Sequence, residues 1–326
     1  AVTVTQSAAV AAVSDGTIGR IGVTDGAVNI LDANRASTTA AGTIATADVT
    51  GGAAVVVNSG ALTALNLAST FTTVNAGTLG ALTTAANTTL ALGLTGAVST
   101  GAVTIDTDIT TLNISGNTTT STIASLVASG ATTINVSGDA LVTLTANTTA
   151  AVTDIAVTNT AGAAFGSALA VGVNFAGGAG DDSIVLTGAQ TKAITMGAGN
   201  DTVTYAGALS TTVGSVGSVA AGTGTADTII MTGAQADAAD ASPAFNTAFT
   251  GFEVLQLSDT QTVTLDLDGI NTANKVILAA GTTSGTINNL ISGGTVQIDA
   301  DAAGAATLAV GIDGALSRST DVLNLN

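Results

Sequence analysis

The residues of this chain best suited to chemistry are the glycines and aspartates between Gly177 and Thr204, which read GGAGDDSIVLTGAQTKAITMGAGNDTVT. Against the nonapeptide G-G-x-G-x-D-x-U-x, in which U is a large apolar residue, Gly177, Gly178, Gly180, Asp182 and Ile184 fill every specified position. A second copy follows, in which Gly197, Gly199, Asp201 and Val203 match and Met196 replaces the first glycine. The two aspartates lie 19 residues apart, the length of two nonapeptides or one solenoid turn. The chemistry on offer is ligation of a hard cation. Glycine lets successive peptide groups take turn conformations closed to other residues and aim their carbonyls inward. Aspartate adds a carboxylate, and calcium takes about six to eight such oxygens. A third stretch, Gly222-Thr-Gly-Thr-Ala-Asp227-Thr-Ile229, keeps the Asp-x-Ile ending with its glycines one position out of frame. It reads as a degenerate copy that adds Asp227 to the candidate ligands. The alternative is that these phrases are ordinary turns, since the chain holds 40 glycines.

For these residues to meet, one turn must stack on the next and bring Asp182 and Asp201 to the same edge. Thr187 to Thr195 fits the frame of the opposite edge, with Ile194 at the inward position and Lys192 where the acid should stand, so no ion is expected there. A second repeat points to the same kind of stacking. Ile109 to Ile114 (ITTLNI), Ala131 to Val136 (ATTINV) and Val152 to Val157 (VTDIAV) share one pattern, with central apolar residues spaced by 22 and then 21. Leu62 to Leu67 and Phe252 to Leu257 look like outlying copies. A period near twenty with one or two strands per repeat predicts rungs of a parallel β-solenoid; unrelated strands of a β-sandwich are the competing reading.

Short strands are also expected at Val2 to Thr5, Ile21 to Thr24, Val28 to Leu31 and Ala53 to Val57, with turns at Asp15-Gly16 and Asp25-Gly26. Two short helices are predicted. Thr122 to Ser129 ends at Gly130, and Ala244 to Phe249 follows an N-capping Ser242 and a first-turn Pro243. The expected fold class is all-β: a solenoid over residues 1–176, a short calcium-binding β-roll over 177–235 and a further β region over 236–326.

Composition narrows the function. With 22 acidic against 5 basic residues and a net charge of −17, the chain has no basic face for nucleic acid or anionic lipid and should attract divalent cations. It lacks both cysteine and histidine, which removes disulfides, soft-metal sites and Ser-His or Cys-His catalysis. Aromatic residues make up 2% and hydrophobic residues 46%, so a thin core of small side chains is expected, as in a solenoid. The uncharged candidate Ala161 to Gly180 is interrupted by six glycines and Asn174 and does not read as a membrane span. The chain starts without Met, begins and ends in strand-like patterns and shows no signal peptide, and reads as a piece of a longer protein.

Enzymatic function has one foothold. Asp106/Asp108, Asp266/Asp268 and Asp299/Asp301 are pairs at i, i+2, expected to project from one face of a strand, and polysaccharide-cleaving β-helices use paired carboxylates as acid and base. Each pair stands alone, however, and the residues that grip sugars are scarce: two Lys, three Arg, Tyr205 and no Trp. The Thr-x-Thr runs that would suit ice binding, such as Thr143/Thr145 and Thr202/Thr204, are too scattered to form one face. No enzyme activity is therefore expected.

The stretch TSTIASLVASGATTINVSGDALVTLTANTTAAVTDIAVTNTAG (Thr120 to Gly162), continued by GGAGDDSIVL and TKAITMGAGNDTVT, resembles the central lattice-forming region of Caulobacter-type bacterial surface-layer (S-layer) proteins that carry RTX, or hemolysin-type, calcium-binding repeats. The likeness is closest from Asp106 to Tyr205. It implies a non-catalytic structural subunit, secreted by a type I system and tiled by self-association over a Gram-negative cell surface, with structural calcium required. Calcium ligation carries over onto Gly177, Gly178, Gly180, Asp182, Gly197, Gly199 and Asp201. Attachment to cell-surface polysaccharide would belong to regions beyond this chain. The alternatives are a calcium-binding RTX adhesin and, less favoured, a polysaccharide-acting β-helix enzyme.

Overall fold

In Thr133-Ile134-Asn135-Val136 the apolar residues fall at every second position, so an extended chain sends Ile134 and Val136 to one side and Thr133 and Asn135 to the other. A computed structural model describes residues 2–5, 18–32, 43–77, 87–188, 190–206, 217–270, 273–300, 307–312 and 324–325. In it such phrases stack directly: Ile134 lies between Leu112 and Ile155, and Val136 between Ile114 and Val157, all in parallel register and all buried. Strands dominate throughout, with two short helices among the described residues. The chain divides into two units, residues 1–167 and 168–326. Each is a parallel β-solenoid.

In the first unit one stack runs through the strands Arg20–Thr24, Thr46–Asn58, Ala64–Ala76, Thr89–Ser99, Thr111–Gly116, Thr133–Gly138 and Asp154–Val157. A second stack files Val55, Val74, Val103 and Leu126 one above the other. Rungs turn the corner between stacks through a repeated bend. Leu62, Ile109, Ala131 and Val152 each donate their N–H to the carbonyl three residues back, and each tucks its side chain inside the corner. Outward-facing side chains also stack. Asn135 Nδ2 donates to Asn113 Oδ1 at 2.8 Å, and Asn66 Nδ2 to Asp48 Oδ1 at 2.8 Å, while Asp48 also pairs with Arg20 at 2.7 Å.

The ITTLNI, ATTINV and VTDIAV phrases occupy the register expected of them. The outlying copy at Leu62 to Leu67 does not. Leu65 stacks on Leu92, which stacks on Ile114, two positions from the alignment that puts it over Leu112. A shift of two keeps the same face inward, so burial does not discriminate between the registers. Phe252 to Leu257 lies in the second unit, where Leu255 sits between Ile229 and Val276.

The helix predicted at Thr122 to Ser129 is instead two strands, Ser121–Ile123 and Ser125–Val127. Ile123 and Leu126 are both buried, and their spacing of three imitates a helical repeat. That spacing arises because the strand turns a corner at Ala124, whose N–H donates to Ser99 Oγ at 2.8 Å, and alternation then resumes with Leu126 and Ala128 inward.

In the second unit Ile184, Val203, Ile229, Leu255, Val276 and Val296 form one apolar file, and Phe175, Ile194, Val219 and Phe249 another. A separate three-stranded parallel sheet, Thr264–Asp266, Ser284–Leu290 and Thr307–Ile312, stacks Leu265, Ile287 and Val310. The rung after Met231 makes an excursion through helices α1 (Gly233–Asp240) and α2 (Pro243–Ala248). Helix α2 follows the Ser242-Pro243 signal, with Ser242 Oγ accepting the Phe245 N–H. Phe245 stacks on Phe249 at 4.3 Å, and Tyr205 meets Phe249 edge-on at 6.3 Å.

Helix α1 was not expected, although Thr232 and Gln235 close a capping box around its start. The same four-letter phrase, TGAQ, recurs at 187–190 between two strands, so the box alone does not specify a helix. No helix among the described residues is long and apolar enough to cross a membrane, which says nothing of β-barrels. The turn expected at Asp15-Gly16 lies outside the described residues, as does Asp301.

Candidate metal edge

The strands Ser183–Leu186, Thr202–Tyr205 and Thr228–Met231 pair in parallel, with Ser183 against Thr202 and Thr202 against Thr228. Each is preceded by an aspartate, so Asp182, Asp201 and Asp227 stand in one file at one edge of the second unit, and all three are buried. Successive rungs lie about 4.8 Å apart, which places three like charges at close quarters away from water.

Two hydrogen-bond ladders of opposite direction fasten this edge. In the first, a carboxylate reaches back one rung: Asp201 Oδ1 accepts the Asp182 N–H at 2.7 Å, and Asp227 Oδ1 accepts the Asp201 N–H at 2.8 Å. In the second, a side-chain oxygen reaches forward. Asp181 Oδ1 accepts the Asn200 N–H at 2.7 Å, and Asn200 Oδ1 accepts from the N–H groups of Thr225 and Ala226 at 3.2 and 3.1 Å.

The glycines stack as well. A Cβ at Gly177 would stand 1.8 Å from the Met196 carbonyl oxygen, one at Gly197 2.2 Å from that of Gly178, and one at Gly222 1.9 Å from that of Gly197. Gly197 and Gly222 have φ of +108° and +106°, which other residues rarely adopt. Gly199 and Gly224 continue a parallel file one step along, each with its Cβ position against the carbonyl of the glycine beneath, Gly180 and Gly199 respectively. Met196 is accepted in place of a first glycine because its position faces the core, where its side chain is fully buried.

The third copy is less irregular than its spelling. Gly222 and Gly224 lie over Gly197 and Gly199, so the glycines are in frame with the rung below, and the extra residue falls between Gly224 and Asp227. Asn200 absorbs it by accepting two successive N–H groups. Opposite this edge, Ile194 is buried as expected and Lys192 is exposed.

The second oxygens decide what the edge can do. Oδ2 of Asp201 and Oδ2 of Asp227 are buried and have no hydrogen-bond partner among the described residues. Asp182 Oδ2 accepts the Gly178 N–H at 3.1 Å. Burial away from water pushes the Asp201 carboxyl up to about 7; the N–H from Asp182 opposes the rise, and the charges of Asp182, Asp227 and Asp181 add to it. A buried carboxylate with an orphaned oxygen is costly unless something cationic meets it.

No group of three or more acidic, histidine or cysteine side chains converges on one point among the described residues. A cation here would therefore complete its shell with backbone carbonyls, which the stacked glycines supply without a Cβ in the way. The residues present fit such an ion: hard oxygens only, two of them orphaned, beside a glycine cradle.

The paired aspartates take a different form from the one expected. Each of the two fully described pairs closes a turn at a strand end: Asp108 N–H donates to Asp106 Oδ1 at 2.9 Å just after the strand Ala102–Ile105, and Asp268 N–H to Asp266 Oδ1 at 3.1 Å, Asp266 being the last residue of the strand Thr264–Asp266. Aspartate bonding to the backbone two residues on is a turn-forming habit.

Sequence reasoning missed Glu253, whose Oε2 accepts the Asp227 N–H at 3.0 Å and so continues the first ladder by a rung. The signal was an acid two positions before a buried apolar residue, shared by Asp182-x-Ile184, Asp201-x-Val203, Asp227-x-Ile229 and Glu253-x-Leu255. Neither a scan against protein-family models nor a search of curated proteins finds a match to this chain.

Proposed function

We propose that this chain is a calcium-requiring structural subunit of a bacterial surface layer, in which calcium holds the glycine-aspartate edge together and the solenoid self-associates into a two-dimensional lattice outside the cell. One observation carries the calcium reading. The buried carboxylates of Asp201 and Asp227 each keep an oxygen without a partner, beside stacked glycines. Calcium is the hard, oxygen-seeking dication suited to such a donor set at the millimolar levels found outside cells. Ions along the file would each be held by one or two of the Asp182, Asp201 and Asp227 carboxylates together with carbonyls of the adjoining Gly177–Gly180, Gly197–Gly199 and Gly222–Gly224 bends.

The ion supplies positive charge to a chain of net charge −17 and links folding to its own concentration, by about 1.4 kcal/mol for each tenfold excess over Kd. The lattice role rests on the resemblance to surface-layer proteins and fits a chain built of stacked rungs with small polar faces.

Circular dichroism during calcium titration tests the first part. The wild type should gain β-signal and melting temperature with calcium, and the double variant Asp182→Ala, Asp201→Ala should lose most of that response. An equal response in both proteins would move the ion elsewhere. Electron microscopy with and without calcium tests the second part, since ordered sheets are expected only with calcium and discrete rods would favour an adhesin.

A further inference from the structure

The file of carboxylates runs one rung past the aspartates. Val254 pairs with Thr228 in the register that pairs Thr228 with Thr202, so Glu253, the only glutamate of the chain, stands in line with Asp182, Asp201 and Asp227. Its rung is tighter at the corner. Between the paired positions Ala220/Thr250 and Thr228/Val254, the third rung has seven residues and the fourth has three. The extra methylene of glutamate lets a carboxylate on this shortened corner still reach the Asp227 N–H, at 3.0 Å. Asp227 and Glu253 are also the two ends of the rung that carries α1 and α2, 26 residues apart.

We propose that Asp227 and Glu253 together hold a hard divalent cation at the end of the file, and that this ion fastens the base of the helical excursion. The proposal rests on the reading of the aspartate edge as a calcium site and extends it to a residue outside the glycine-aspartate phrase. Three observations support it. Asp227 is fully buried and its Oδ2 has no partner, which is the donor a cation would take. No Lys or Arg pairs with Asp227 or Glu253, the one ion pair among the described residues being Arg20 with Asp48. And the two acids are one rung apart, about 4.8 Å, where like charges repel unless a shared dication turns the repulsion into attraction. All the donors are oxygens, which selects calcium-like ions over soft metals. Closing the excursion at its base removes the freedom of a long loop, so ordering of α1 and α2 becomes coupled to the ion.

The test counts ions and watches the helices in the full chain. Equilibrium dialysis at saturating calcium gives the stoichiometry of the wild type, of Glu253→Gln and of Glu253→Asp, while amide hydrogen exchange follows residues 233–248. Glutamine keeps an acceptor for the Asp227 N–H and removes only the charge. Glu253→Gln should bind one ion fewer than the wild type, keep the rest, and exchange its helical amides at saturating calcium as fast as the wild type does in low calcium. Glu253→Asp, which keeps the charge, should keep the ion at weaker affinity. Equal stoichiometry and equal protection in Glu253→Gln and wild type would overturn the proposal and leave the aspartate site standing. If the wild type takes up no calcium, the aspartate site falls first and this one with it. Should Glu253→Gln fail to fold at saturating calcium, the aspartate variant carries the test, and unchanged affinity in it overturns the assignment.

Discussion

Tyr205, the only tyrosine of the chain, is buried against Phe249 with a hydroxyl that has no partner among the described residues. An unsatisfied buried hydroxyl costs about 1–3 kcal/mol. Tyr205→Phe should therefore be neutral or stabilising by up to about 1 kcal/mol in urea denaturation; a clear loss would show that the hydroxyl is satisfied. Burial also holds the phenol above its ordinary 10.0. The folded state thus favours the neutral ring, so this group leaves stability unchanged below pH 10 and lowers it above, where the unfolded chain ionises first. That alkaline loss should vanish in Tyr205→Phe. At the same scale, the acids of the candidate metal edge were legible unequally. Asp182 and Asp201 stand out because the nonapeptide spells their positions, whereas Glu253 does not, because its three-residue corner keeps only Gly251 of the glycines that make the phrase recognisable.

Elements differ in how much of their structure is local. The corner at Ala124 places buried residues three apart, and a helix does the same, so the Thr122 to Ser129 segment reads as helix until neighbouring rungs offer it hydrogen bonds from Ala146 and Ser99. Helix α1 shows the converse, since its capping box is spelled identically at 187–190, between the strands Ser183–Leu186 and Ala193–Thr195. The glycine bends are more demanding. Gly222 has φ of +106°, and a Cβ there would lie 1.9 Å from the Gly197 carbonyl oxygen, whereas a Cβ at Gly172 would meet nothing within 4 Å. Gly222→Ala should cost about 1–3 kcal/mol for the backbone alone, with more from the overlap, while Gly172→Ala should stay within about 0.5 kcal/mol. Chemical denaturation of the two variants side by side checks the contrast, and equal losses would mean that the bend relaxes freely.

Over the whole molecule, the two units differ in what neutralises their stacks. In residues 1–167 the outward ladders are largely neutral or paired, as with Asn113 and Asn135 or Arg20 and Asp48, while residues 168–326 carry the file of buried acids. Chelation should accordingly raise amide exchange across 177–257 and leave 89–144 protected; uniform loss across both segments would count against a local calcium edge. The amino-acid sequence by itself determined that this is an all-β chain of parallel rungs, because alternation and a period near twenty are properties of a single strand and its repeat. It also named the glycines and aspartates that the structure stacks along one edge of the second unit. Only the tertiary structure decided the register of Leu65, the strands at Ser121–Val127, the in-frame stacking of Gly222 and Gly224, and the place of Glu253 in the acidic file. Each of these depends on which residue lies one rung away. A shift of two preserves every inward face and an extra residue can be absorbed by a neighbour's side chain, so nothing in a rung read alone distinguishes the outcomes.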